Sequence, residues 1–144
     1  MANAKFSQGM RDSMIDSTTN VADAFISGFL EIRDGTQPAN ANTAPTGTVL
    51  ASVELPATPW LAVSDGVLAL TGTWEEASAP AAGTATWFRL RTSGDLGTTN
   101  TTDIRVDGDV TTVAAGTGDL QMSATVIALT DKVTVDTFTI TVPA

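Results

Sequence analysis

An all-β fold, an antiparallel β-sandwich or jelly roll of about eight strands with a short N-terminal α-helix, is the class this sequence predicts. Three observations lead there. Short runs in which apolar and polar residues alternate recur from Gly28 to the end of the chain, and a period of two is what a strand with one buried face requires. The runs are separated by turn signals: Asp-Gly pairs and loops rich in Gly, Pro, Asn and Thr. No alternation of strand and helix patterns suggests a parallel sheet. The chain divides into an N-terminal arm with the short helix, residues 1–27, and a β-sandwich domain, residues 28–144.

The arm carries FSQGMRDSMIDS, in which Phe6, Met10 and Met14 recur every fourth residue with Ile15 alongside. That spacing makes one apolar stripe on a helix over about residues 7–17, with Ser7 as its N-cap. Gly9 weakens such a helix by about 1 kcal/mol relative to alanine. The stripe has two candidate partners, the β domain or a neighbouring subunit.

GFLEIR (28–33) is the first long strand, with Leu30 and Ile32 on one side and Glu31 and Arg33 on the other. DGTQPANANTAPTG (34–47) is a loop by composition, and TVLASVEL (48–55) is the next strand, stopped by Pro56 and Pro59. PWLAVSDGVLALTG (59–72) reads as a hairpin turning at Asp65-Gly66. WEEASAPAAG (74–83) is a second loop. GTATWFRLRT (83–92) is a strand that turns Phe88 and Leu90 toward a core and Trp87, Arg89 and Arg91 the other way. SGDLGTTNT (93–101) is a polar loop, and TDIRVDGDV (102–110) brings a short strand into a second Asp-Gly turn. DLQMSATVIAL (119–129) is apolar on both faces near its end, as a central strand would be. In KVTVDTFTITV (132–142), Val133 and Val135 share one parity while Phe138, Ile140 and Val142 share the other, which places a β-bulge near Asp136–Thr137.

Composition removes several kinds of chemistry. The net charge of −9, from sixteen acidic and seven basic residues, disfavours nucleic acid as a partner, because phosphate binding needs clustered cations. With no cysteine and no histidine, the chain lacks disulfides, thiolate metal sites and the usual general base near neutral pH. Only Lys5 and Lys132 could serve a serine nucleophile, and no motif supports either. Glu75 and Glu76 are adjacent, and adjacent side chains diverge instead of flanking a sugar as glycosidase carboxylates do. Asp103, Asp107 and Asp109 around Gly108 suggest an oxygen-ligand calcium loop, but the spacing departs from the known loop pattern and an Asp-Gly turn explains it. No catalytic residue, cofactor or metal is expected. The first residues hold no secretory signal and no run is long enough for a membrane helix, so the expectation is a soluble product of the cytoplasm with no membrane partner.

The aromatics bear on binding. Trp60 follows Pro59 in an apolar segment and reads as core, whereas Trp74, beside two glutamates at a loop edge, is the better candidate for exposure and for stacking on sugar rings. Trp87 with Arg89 and Arg91 has the residue types most enriched at interface hot spots. That face meets either the chain's own helix or a neighbouring subunit.

Three stretches resemble a family of small virion proteins of tailed bacteriophages. They are GFLEIRDGTQPANANTAPTGTVLASVEL (28–55), GTATWFRLRT (83–92) and the terminal KVTVDTFTITVPA (132–144). The resemblance implies a capsid cement, or decoration, protein of jelly-roll type on the exterior of the virion, where it bridges neighbouring subunits of the major capsid protein. It further implies no active site and self-association as a dimer or trimer. The interface residues expected on that reading are Trp87, Arg89 and Arg91 together with Phe6, Met10 and Met14. The alternative is a tail or baseplate accessory module, or a glycan-binding one.

Overall fold

A computed structural model of the chain describes residues 3–15 and 20–141. In chain order the elements are β1 (Lys5–Phe6), α1 (Gln8–Ile15), α2 (Val21–Ala24), β2 (Phe29–Arg33), β3 (Val49–Glu54), β4 (Val67–Ala69), β5 (Trp74–Glu76), β6 (Gly83–Thr84), β7 (Trp87–Arg91), β8 (Arg105–Thr112), β9 (Leu120–Met122), β10 (Val126–Ile127), β11 (Val133–Val135) and β12 (Thr137–Thr141). The fold is all-β with two short N-terminal helices, as the alternating runs predict. Among the described residues twelve strands replace the expected eight or so. The predicted strands 83–92, 119–129 and 132–142 are each cut in two, β1 forms in the arm, and β5 forms inside the stretch 74–83 expected as a loop. The first arm of the expected hairpin, 59–63, makes only an isolated bridge.

The main sheet runs β3-β2-β7-β8-β9-β12-β4, with β1 added beside β8. Strands β2, β3, β7 and the first half of β8 pair antiparallel. One pair departs from the antiparallel expectation: Val110–Thr112 lies parallel to Leu120–Met122. The connection 113–119 folds back along β8, where the Gly118 N–H donates to Thr111 Oγ1 at 2.9 Å and the Asp119 N–H to Asp109 Oδ1 at 2.9 Å. Strand β12 lies three strand spacings from β7, roughly 14 Å in a flat sheet. Yet the Phe88 and Phe138 rings are 5.1 Å apart, edge to face. The sheet therefore curls over itself, and the β5–β11 ribbon, packed beside β3 and β9, lies along the open side.

The core fills this curl. Leu30, Ile32, Phe88, Leu90 and Val106 project from one face of the sheet, all fully buried. Phe138 sits among Phe88, Trp74 and Trp60, with centroids 5.1, 5.7 and 6.0 Å away. Met10 and Phe25, from the N-terminal 27 residues, are buried in the same core.

Local signals hold at several points. Ser7 caps α1: its Oγ accepts the Met10 N–H at 3.0 Å, accepts the Arg105 N–H at 2.9 Å and donates to Asp103 O at 2.7 Å. One hydroxyl thus ties the helix to β8. Asp65 (φ 53°) and Gly66 (φ 73°) form the expected turn, both in the left-handed conformation that such a hairpin demands. In place of the expected β-bulge near Asp136–Thr137, the parity slip after Val135 marks the point where the chain leaves β11, paired with β5, and enters β12, paired with β4 and β9; Val142 lies outside the described residues.

The other Asp-Gly pair expected as a turn, Asp107-Gly108, is not one. Asp107 and Gly108 lie in mid-strand in β8, opposite Arg89 and Phe88. A Cβ at Gly108 would stand 2.7 Å from the Phe88 ring, so the glycine is there to admit an aromatic ring.

Candidate functional site

The other face of β2, β7 and β8 is charged, and it too is buried. Pairing aligns Glu31, Arg89, Asp107 and Lys5 in one row across four strands, with signs alternating. Opposite charges facing each other across a sheet are mutually stabilising. A second row sets Arg91 beside Arg105, a like-charge contact that needs an anion. Asp95 supplies it from the loop 92–104. Its carboxylate receives the Nε and Nη2 of Arg105, while its carbonyl accepts Arg91 Nη1 at 2.6 Å. Asp103 takes a further Arg105 N–H at 2.8 Å.

Arg89 holds Asp107 with two parallel bonds of 2.7 Å, and both side chains are completely shielded from solvent. Glu31 accepts Arg33 on one oxygen and Arg91 on the other, at 2.8 and 2.9 Å. The guanidinium carbons of Arg89 and Arg33 stand 5.8 and 5.9 Å from the Trp87 ring centroid, and the Trp87 N–H donates to Asp34 O at 3.0 Å. Such cation–π contacts strengthen as water is removed.

The covering layer consists of the two loops that composition marks out, 34–47 and 92–104. Such loops carry backbone carbonyls with no ladder to satisfy them. The cations below supply the donors: Lys5 to Pro38 O (2.9 Å), Arg89 to Thr43 O (2.8 Å), Arg33 to Gly47 O (3.1 Å) and Arg105 to Thr98 O (2.8 Å). Arginine suits this role because its fork has donors left over after a carboxylate is bound bidentately.

Burial and pairing set the titrations in opposite directions. Desolvation pushes Asp95 up, but the Arg105 bonds, the Gly97 N–H and the nearby charges outweigh it, so its carboxyl stays below the usual value. Burial wins at Asp107 and at Asp103, both raised despite their arginines. Asp119 is raised by burial and by the hydrogen bond and charge of Asp109. Desolvation also pushes Asp109 up, and bonds from the Asp119 N–H, Asn3 and the Asp119 side chain override it, leaving it lowered.

The expected contact residues therefore fall differently from the docking stripe. Trp87 and Arg89 are 1 % and 0 % exposed and face the chain's own loops, so no neighbour can reach them. Arg91 is mostly covered and stacks on Phe29, its guanidinium carbon 4.7 Å from the ring centroid. Met10 belongs to the core and Met14 is half-buried. Phe6 precedes the helix, pairs with Val106 in β1 and packs against the same core. The expectation for Trp74 is overturned, since it is fully buried, which removes it as a sugar-stacking platform; Trp60 packs against the core as expected but keeps one part of its ring exposed. Asp103 and Asp107 are occupied by arginines instead of forming a calcium loop.

Trp60 floors a groove of about 260 Å³ beside α2 that sequence reasoning missed. The available signal was PWLAV (59–63), a run with apolar residues of both parities, where a strand with one buried face needs only one. Among the described residues, no helix is long and apolar enough to cross a membrane. Comparisons with protein-family models, with curated proteins and with solved structures give no match.

Proposed function

We propose that the chain is a non-enzymatic structural protein of a tailed-phage virion, a cement protein on the outside of the shell that bridges subunits of the major capsid protein. The observation that carries the reading is the pinned pair of loops. Lys5, Arg33, Arg89, Arg91 and Arg105, five of the seven basic residues, act beneath loops 34–47 and 92–104. They hold broad loop surfaces in one conformation. A binding protein gains from surfaces whose ordering cost is met during folding, and a cement protein needs only added interface between subunits. The resemblance of residues 28–55, 83–92 and 132–144 to phage virion proteins supports the same reading, and lattice symmetry favours self-association alongside it.

Fractionated virions test it. The protein should co-purify with heads, and heads lacking it should release DNA at a lower temperature than complete ones. Recovery with tails and not heads would move the chain to the tail or baseplate and end the cement reading.

A further inference from the structure

The expected docking stripe is internal, so any partner must bind elsewhere, and the groove beside α2 is the surface that fits. Its wall carries Ile26, Leu61 and Val63, which are 39, 54 and 62 % exposed, with Leu68 and Trp60 beneath. Clustered exposed apolar side chains mark interaction sites, whereas scattered ones do not. The floor is fixed in advance. Trp60 Nε1 donates to Ala22 O at 3.1 Å, and its ring packs edge-on against Trp74 and Phe25 at 5.2 and 6.4 Å. A volume of about 260 Å³ lies below the usual range for drug-sized ligands and suits one or two side chains.

Charge selects the occupant. The one ionisable residue in the lining is Asp23, and Asp65 is exposed two residues beyond Val63. Elsewhere among the described residues the exterior offers Asp12, Glu54, Glu75, Asp131 and Asp136 against Arg11 and Lys132, the latter already paired with Glu75 at 2.7 Å. A second copy would bring carboxylates to a carboxylate rim. We infer that the groove docks a partner segment presenting one or two large apolar side chains with a lysine or arginine beside them. On the reading above, from which only the partner's identity is taken, that segment belongs to the shell.

Tryptophan emission gives a direct test, since Trp74 and Trp87 are buried and Trp60 is the accessible indole. Two synthetic peptides with one Leu-x-x-Phe core are titrated, one flanked by lysines and the other by glutamates. The lysine peptide should shift the emission and bind at least about tenfold more tightly than the glutamate peptide, the preference shrinking in high salt. Val63→Glu, at an exposed position, should keep the wild-type melting temperature and lose the lysine peptide by at least about tenfold. Asp23→Asn should narrow the preference. Equal binding of both peptides, or full binding by Val63→Glu, overturns the inference. So does a groove variant that dissolves a dimer while neither peptide binds, because the occupant is then a second copy. Stripped shells separate the two levels. If wild type and Val63→Glu decorate them equally, the groove inference fails and the cement reading stands. If wild type ignores shells while the lysine peptide binds the groove, the reverse holds.

Discussion

The two faces of the sheet built from β2, β7 and β8 are both buried and chemically opposite. On one, Leu30, Phe88, Leu90 and Val106 meet the curled-over strands around Phe138. On the other, Glu31, Arg89, Arg105 and Asp107 meet loops with little apolar surface to offer. The apolar face gains from leaving water and depends on shape. The charged face must recover a large desolvation cost through geometry, and replacing a buried ion pair by apolar residues is often neutral or better for stability. What it supplies instead is specificity: each arginine has a definite carboxylate and a definite carbonyl, so the loops have one place to lie.

That contrast is sharpest in a set of substitutions. Phe88→Ala should cost about 3–5 kcal/mol by opening a cavity. Asp107→Ala should cost a similar amount, about 3–5 kcal/mol, by leaving the Arg89 guanidinium buried and unpaired. The faces should then part company. The double variant Arg89→Met with Asp107→Leu should recover most of the loss, whereas no second substitution at the neighbouring Phe138 restores the Phe88 cavity. Urea unfolding of these three variants beside wild type decides this. If the double variant is as unstable as Asp107→Ala, the ion pair contributes net stability and the two faces are energetically alike.

The alternation within each strand was legible in the sequence, and so was the core side: parity alone places Phe88 and Leu90 on it. What covers the polar side was not legible, because it is decided by loops far along the chain. An exposed face and a face buried under loops read the same locally. Asp-Gly makes the same point. Asp65-Gly66 is a turn and Asp107-Gly108 is mid-strand, though the dipeptide is identical. The unbroken alternation of Arg105, Asp107 and Asp109 with Val106, Gly108 and Val110 was the signal that the strand continues.

The seam between helix α1 and β8 gives an intermediate effect with a sign opposite to propensity. On helix propensity alone Gly9→Ala should stabilise by about 1 kcal/mol. A Cβ there would stand 2.2 Å from the Thr102 carbonyl oxygen and 2.7 Å from that of Asp103, both backbone atoms that cannot step aside. The substitution should therefore destabilise, by about 1–3 kcal/mol, and loosen the Ser7 bonds to Asp103 and Arg105. A melting temperature above wild type would mean that the helix does not press on this loop.

The smallest expected effect lies at the end of the charged face, where Asp119 stands beside Asp109. Its folded carboxyl is raised above the ordinary 3.8, so between that value and the raised one the folded state keeps a proton the unfolded state has lost. Stability from this group is present at low pH and declines as pH rises through the window. Asp95 has the opposite sign: its carboxyl is lowered, and its contribution disappears as pH falls. Asp119→Asn mimics the protonated form at every pH. The variant should match wild type in acid and overtake it as pH rises toward neutral, with the change confined to that window. A constant difference across the range would mean that Asp119 acts through packing against Gly108 and not through its charge. The ion pairs would then account for all of the pH dependence of this face.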